Sequence, residues 1–343
     1  MKSVLASAAL ATCLAIGSAA AETTEWDVSL WGERRPLTEH VHRLAELLDE
    51  KTDGDFTLRI NYGGLSKDTE NLDGLRLGAF EMAQFCAGYH PDKTPSLTVL
   101  ELPFLDVQTL EEELAVSEAV YAHPSAQADL ERWGARILLP SPTPQHGIAG
   151  RGDPPRSLED FEGLRIGMTG GLGRTLQAIG ALPVPITASQ THAALEDGVI
   201  SAVALAPHAH LAFRSLDLGD WWTANLPLGT VNCPVAVSTA ALEVLPEKHH
   251  EALDGAIEEA LAHYLSSYEE FMVQWESLLE ENAVQQVTLS STDVGRLLEM
   301  AAPIRTQWIA DMSAKGLPGE ELHRLLQDTL QDVRARRPAT AKH

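Results

Sequence analysis

From Glu247 to about Glu281 the chain carries no proline, and Gly255 alone interrupts a run of good helix formers. Leu253, Ile257, Leu261, Leu265, Tyr268, Met272, Trp275 and Leu279 recur there at steps of three and four, the spacing that lines one face of a helix. At about 1.5 Å per residue such a helix runs for roughly 50 Å, more than the width of one compact domain.

Ahead of that rod the pattern alternates. Asp27 to Trp31 reads as a strand, and Val41, Leu44, Ala45 and Leu48 form a helical stripe that stops at Gly54. Phe56, Leu58 and Ile60 alternate with Thr57, Arg59 and Asn61, the mark of a strand half facing a core. A helix from Thr69 to Leu77 and a short apolar strand from Met82 to Phe85 follow. After the breakers Ser141-Pro142-Thr143-Pro144 and Gly152-Asp153-Pro154-Pro155 the alternation restarts. Strands are expected at Leu164–Met168, Val184–Ile186 and Val199–Leu205, with helices at Leu172–Ile179 and Gln190–Leu195. Two more helices, Val294–Ser313 and Glu320–Arg334, close the chain. Strands alternating with amphipathic helices predict an α/β fold with mainly parallel pairing.

The first residues predict export. Lys2 precedes an apolar run from Val4 to Ile16, and Ala19-Ala20-Ala21 stands before Glu22, the layout of a signal peptide cut after Ala21. The roughly 320 residues beyond it exceed what one core supports, so two domains are expected. With 49 Asp and Glu against 25 Lys and Arg, the formal charge of -24 disfavours nucleic acid and anionic membranes as partners. Of the three cysteines, Cys13 falls in the leader. Cys86 and Cys233 each sit in an apolar run and read as buried thiols, with a disulfide left open by export.

Motifs for catalysis are missing. Gly167-Met168-Thr169-Gly170-Gly171-Leu172-Gly173-Arg174-Thr175 joins a strand to a helix but has neither the spacing nor the lysine of a phosphate loop. His40 with His42, and His208 with His210, lie two apart, where helical side chains do not share a face. No metal, cofactor or nucleophile signature is found, which removes the common routes to catalysis.

Several segments together resemble the periplasmic solute receptors of TRAP transporters, the DctP-type family. They are Asp53-Gly54 with Gly63-Gly64-Leu65, the run Arg76-Leu77-Gly78-Ala79-Phe80-Glu81-Met82, and Leu102-Pro103-Phe104-Leu105. Further along come Leu158 to Ile166, Ile179 to Pro183, Ala194 to Ile200, and Leu245-Pro246-Glu247 at the mouth of the long helix. The resemblance implies a receptor and not an enzyme, with two α/β domains joined by crossing strands and spanned by the long helix, a solute held in the cleft by hinge closure and passed to the transporter's membrane subunits. On this reading residues 22–145 with about 233–272 form the first domain. Residues 146–232 with about 273–335 form the second. A secreted enzyme or a sensor module on the same fold are the competing readings.

The departures from the family bear on the ligand. Where the family carries a carboxylate-binding arginine, this chain has Gly167, after Leu164-Arg165-Ile166. The positions that resemble the family's pocket are Trp31, Glu33, Phe85, Tyr89, His90, Gly167, Met168 and Trp222. Aromatic faces beside one carboxylate suit an ammonium group, which points to a small amine or amino alcohol with Glu33 as counter-ion. The alternative keeps a carboxylate ligand and moves its anchor to Arg34, Arg35 or Arg151.

Overall fold

A computed structural model describes residues 23–168, 171–226 and 228–336. The expected leader, its cut after Ala21, and Thr169 and Gly170 of the glycine cluster lie outside the described residues. In β1 (Thr24–Leu30) alternate residues Trp26, Val28 and Leu30 are buried, the period of two expected of a half-covered strand. The helix Glu39–Lys51 lays Val41, Leu44, Leu47 and Leu48 against it. That helix ends where Asp53 and Gly54 both adopt positive φ and the Gly54 N–H returns to Asp49 O at 2.9 Å.

Two sheets follow. The first is ordered β2 (Phe56–Tyr62), β1, β3 (Met82–Gln84), β10 (Val235–Ser238), β4 (Ala135–Leu139). The second is ordered β11 (Gln285–Val287), β9 (Trp221–Thr223), β5 (Gly147–Gly150), β8 (Ala202–Leu205), β6 (Arg165–Gly167), β7 (Leu182–Val184). Pairing is mixed, contrary to the mainly parallel sheets expected. β10 runs antiparallel to β3 and β4, and β5 runs antiparallel to β8 and β9. The reason lies in the connections. β5 is the first strand after the chain crosses to the second sheet, and β10 the first after it returns. Each enters the middle of its new sheet from the far side and so runs against its neighbours.

The helix Glu247–Glu281 touches both lobes. Leu253, Ala256 and Ala260 sit in the core of the first sheet with Val28 and Leu30. Trp275 and Leu279 pack with Ala149, Leu216 and Trp222 under the second. Its inner face is formed by Ala256, Ala260 and Tyr264, while Ile257, Leu261 and Leu265 of the predicted stripe lie half-buried beside it. The last helix, Gly319–Arg336, departs from the sequence division. Leu322, Leu326 and Leu330 pack with Val116 and Val120 of the helix Leu110–Tyr121, in the core of the first lobe. The helix Ser291–Ala314 carries the chain back there, with Leu297 in the second lobe's core and Trp308 and Met312 in the first's.

Candidate functional site

Between the lobes lies a cavity of about 50 Å³ of solvent-accessible space. From the first lobe it is walled by Trp31, Arg35, Leu37, Cys86 and Tyr89. From the second come Gly167, Met168, Ile186 to Ala188 and Val203 to Ala206. The crossing segment adds Thr143 and His146, the helix Pro207–Ala212 gives His208, and Phe213 follows it.

Arg35 is the one charged side chain among the described residues of this wall, and it is only 5% exposed. The turn after β1 places it. Gly32 holds a φ of +73°, and a Cβ there would lie 2.9 Å from the Phe213 ring and 3.3 Å from Arg35 Nη1, so the turn accepts no side chain. Arg35 Nη1 donates to Trp31 O at 2.7 Å and Glu33 O at 2.8 Å, and its guanidinium carbon stands 5.3 Å from the centroid of Phe213. Nε and Nη2 are buried without a protein partner. Burial lowers its pKa to about 10, so the group keeps its charge at neutral pH.

The pair Nε and Nη2 is the edge of a guanidinium that grips a carboxylate with two parallel hydrogen bonds. The protein uses the same edge elsewhere: Arg34 Nε and Nη2 each reach Glu39 at 2.8 Å, and Arg334 holds Glu112 with both at 3.0 Å. In Arg35 that edge meets no carboxylate among the described residues.

The other polar groups of the wall are uncharged. Thr143 Oγ1, Thr191 Oγ1 and His146 Nδ1 are buried with no partner among the described residues. His208 Nδ1 is hydrogen-bonded to Tyr268 of the long helix. Burial holds His208 well below the ordinary histidine value and His146 down to about 3. Apolar surface comes from Trp31, Met168, Ile186, Val203 and Phe213.

Of the residues expected at the site, the fold brings together Trp31, Tyr89, Gly167 and Met168. The other four lie outside the cavity wall. Glu33 is exposed, and only its backbone carbonyl turns to Arg35. Phe85 is wholly buried in the first lobe's core, with the His90 ring edge-on at 6.0 Å. His90 is 2% exposed and held at about 4 by burial. Trp222 fills the space over Gly147, where a Cβ would meet its ring at 2.2 Å, and packs edge-to-face on Trp275. At Gly167 a Cβ would lie 2.6 Å from Ile186 Cδ1 and 2.9 Å from Ile200 Cδ1, so isoleucine methyl groups occupy the ground a side chain would need. Of the substitute arginines, Arg34 is committed to Glu39 and Arg151 donates to Leu195 O. Among them Arg35 alone faces the cavity.

Cys86 and Cys233 form a disulfide in the cavity wall, where the sequence favoured separate thiols. Backbone bonds Phe85 N to Pro234 O and Ala87 N to Asn232 O continue the β3–β10 pairing and set the two cysteines side by side. Behind this wall Glu101 is fully buried, accepting from Gly88 N at 2.7 Å and Asn232 N at 3.3 Å, and burial raises it to about 8. Across the cleft Tyr89 Oη accepts from Ala188 N at 2.9 Å, and Ser189 Oγ donates to Asp68 at 2.5 Å. Among the described residues no group of three or more His, Cys, Asp or Glu is arranged to hold a metal ion, and no helix is long and apolar enough to cross a membrane.

Residues 28–311 match the profile of DctP, bacterial extracellular solute-binding protein, family 7. A solute-binding protein of Sulfitobacter sp. (strain NAS-14.1) is 25% identical, over 92% of this chain and 95% of its own length. A marine metagenome TRAP solute-binding protein specific for aromatic acid ligands, solved with 3-hydroxybenzoate, superposes with a TM-score of 0.81 at 21% identity, covering 90% of this chain and 98% of its own. A TRAP solute-binding protein of Rhodoferax ferrireducens T118, solved with copurified benzoate, gives a TM-score of 0.80 at 16% identity, covering 91% and 99%.

Proposed function

The chain belongs to the DctP family of bacterial extracellular solute-binding proteins, family 7, and from that premise we propose that it is the solute receptor of a TRAP transporter for a small organic carboxylate anchored by Arg35. The observation that carries this reading is the buried Nε–Nη2 edge of Arg35, in a wall with no other charged side chain among the described residues. A guanidinium taken out of water without a counter-ion is unfavourable, and a bound carboxylate supplies both the charge and the two acceptors it lacks. The apolar faces of Trp31, Phe213 and Met168 fit a ligand whose body is a ring or a compact chain, in keeping with the aromatic acids held by two structural relatives. The loss of the family's arginine at Gly167 then moves the anchor across the cleft. The same charge opposes the small amine that Gly167 and Glu33 suggested, because an ammonium would share the cavity with Arg35.

Closure of the two lobes around the solute is the working motion of this proposal, and the membrane subunits of the transporter are its partner. Thermal-shift measurements against a panel of small carboxylates and small amines test it. A ligand at a hundred times its dissociation constant adds about 2.7 kcal/mol of stability. Stabilisation by carboxylates is expected; stabilisation by amines alone would return the assignment to the cation reading.

A further inference from the structure

Resting on the Arg35 assignment, we infer that the cavity selects a monocarboxylate whose apolar body carries one uncharged hydrogen-bonding group, read by the hydroxyls of Thr143 and Thr191, and rejects ligands with a second charge. After Arg35 takes the carboxylate, two buried hydroxyl oxygens in the wall still lack partners, Thr143 Oγ1 and Thr191 Oγ1. Their residues are 5% and 0% exposed, so bulk water does not serve them. Neither belongs to the turn that carries Arg35. Thr143 lies on the crossing between β4 and β5, and Thr191 opens the helix Thr191–Glu196 of the second lobe. A ligand that satisfies them presents hydrogen-bonding atoms to these two elements as well as to the turn that carries Arg35.

Those atoms are neutral. A threonine hydroxyl both donates and accepts, which matches a hydroxyl or carbonyl and gives no preference for an ion. The histidines of the wall do not supply a second cation, because burial keeps His146 and His208 uncharged at neutral pH. A second carboxylate would thus be buried opposite hydroxyls, neutral imidazoles and hydrocarbon, a heavy penalty for a charge. Conversely, a parent acid without the hydroxyl would leave the threonines unpaired in the complex, and sites built on such bonds discriminate strongly against the analogue that lacks them.

The test uses titration calorimetry on the whole exported protein with benzoate, the three hydroxybenzoate isomers, isophthalate, and the aliphatic pair 3-methylbutanoate and 2-hydroxy-3-methylbutanoate. At least one hydroxy acid is expected to bind about 10-fold or more tightly than its parent, and isophthalate on the order of 100-fold more weakly than that hydroxy acid. In Thr143→Val or Thr191→Val, isosteric changes whose folding is checked by Tm, the hydroxyl preference should fall to about 2-fold or less while the parent acid binds as before. Parent and hydroxy acids binding alike through Arg35, or isophthalate binding best, would overturn this inference and leave the carboxylate assignment standing. If none of these acids binds, and Arg35→Met changes nothing, both fall together.

Discussion

Replacing Arg35 by methionine separates what the buried guanidinium does for the fold from what it does for the ligand. Methionine keeps an unbranched apolar stem of similar reach and removes the charge. Burial holds the guanidinium at about 10 against 12.5 in water, and at about 1.4 kcal/mol per pH unit that displacement corresponds to a penalty of roughly 3 kcal/mol in the ligand-free protein. Against its relief stand Trp31 O and Glu33 O, each deprived of a donor, at about 1 kcal/mol apiece. The ligand-free variant should therefore be slightly more stable than the parent, by on the order of 1 kcal/mol, with Tm higher by about 1–2 °C. Its affinity for carboxylates should fall steeply. Removing one member of a buried charge pair costs about 2–5 kcal/mol, or roughly 30-fold to several thousand-fold in Kd. Differential scanning calorimetry without ligand and titration calorimetry with the best carboxylate read the two effects apart. A variant that binds carboxylates normally, or one whose ligand-free form loses several degrees, would refute the reasoning.

Three further outcomes follow from the same geometry. Gly167→Arg, which restores the family's residue, should lower Tm and weaken binding, because its Cβ meets Ile186 and Ile200; overpacking of this kind costs about 1–3 kcal/mol, and a gain in carboxylate affinity would contradict it. Cys86→Ser with Cys233→Ser should lower stability in chemical denaturation by about 5 kcal/mol at most, the chain-entropy figure for a bond across a separation of 147 residues; an unchanged midpoint would show the bond to be thermodynamically idle. Glu101 has its folded pKa, about 8, above the ordinary 4.5, so its contribution is complete below 4.5 and is lost as pH rises to 8. Tm should therefore decline between pH 5 and 8, and Glu101→Gln should flatten that decline; a parallel profile in the variant would assign the slope to other groups.

The architecture was legible where it rests on long periodic patterns. Proline-free helix formers mark out Glu247–Glu281, and the alternation of strand and helix marks both α/β units. The family resemblance implied strands that cross between the domains, but neither their bounds nor their direction was legible. β5 and β10 have four residues each, two of the four in Gly147–Gly150 are glycines, and nothing local to either tells which way a neighbouring strand runs. The site divides in the same manner. Trp31, Tyr89, Gly167 and Met168 follow from their place in the family pattern, and all four line the cavity. Arg34 and Arg35 are equivalent in sequence, yet one bonds Glu39 and the other turns inward, a choice set by the turn at Gly32 together with Phe213 from a distant part of the chain. Glu33 and Trp222 misled for a related reason. A loop carboxylate goes to water unless something buried pairs with it, and a tryptophan facing a glycine strand is drawn into the gap the glycine leaves.

The bonds from Tyr89 to Ala188 and from Ser189 to Asp68 join the lobes with protein groups alone. If the lobes close around a solute as proposed, part of the free energy of closure comes from these two bonds and is independent of the solute. A bound solute has only to supply the remainder, and its apparent affinity is its intrinsic affinity scaled by the fraction of molecules already competent to hold it. Weakening either bond would raise Kd without touching a single ligand contact. Strengthening one would tighten binding while reducing the difference between loaded and unloaded shapes. A receptor whose loaded state must be told apart by its shape is therefore limited in how firmly these two bonds may hold.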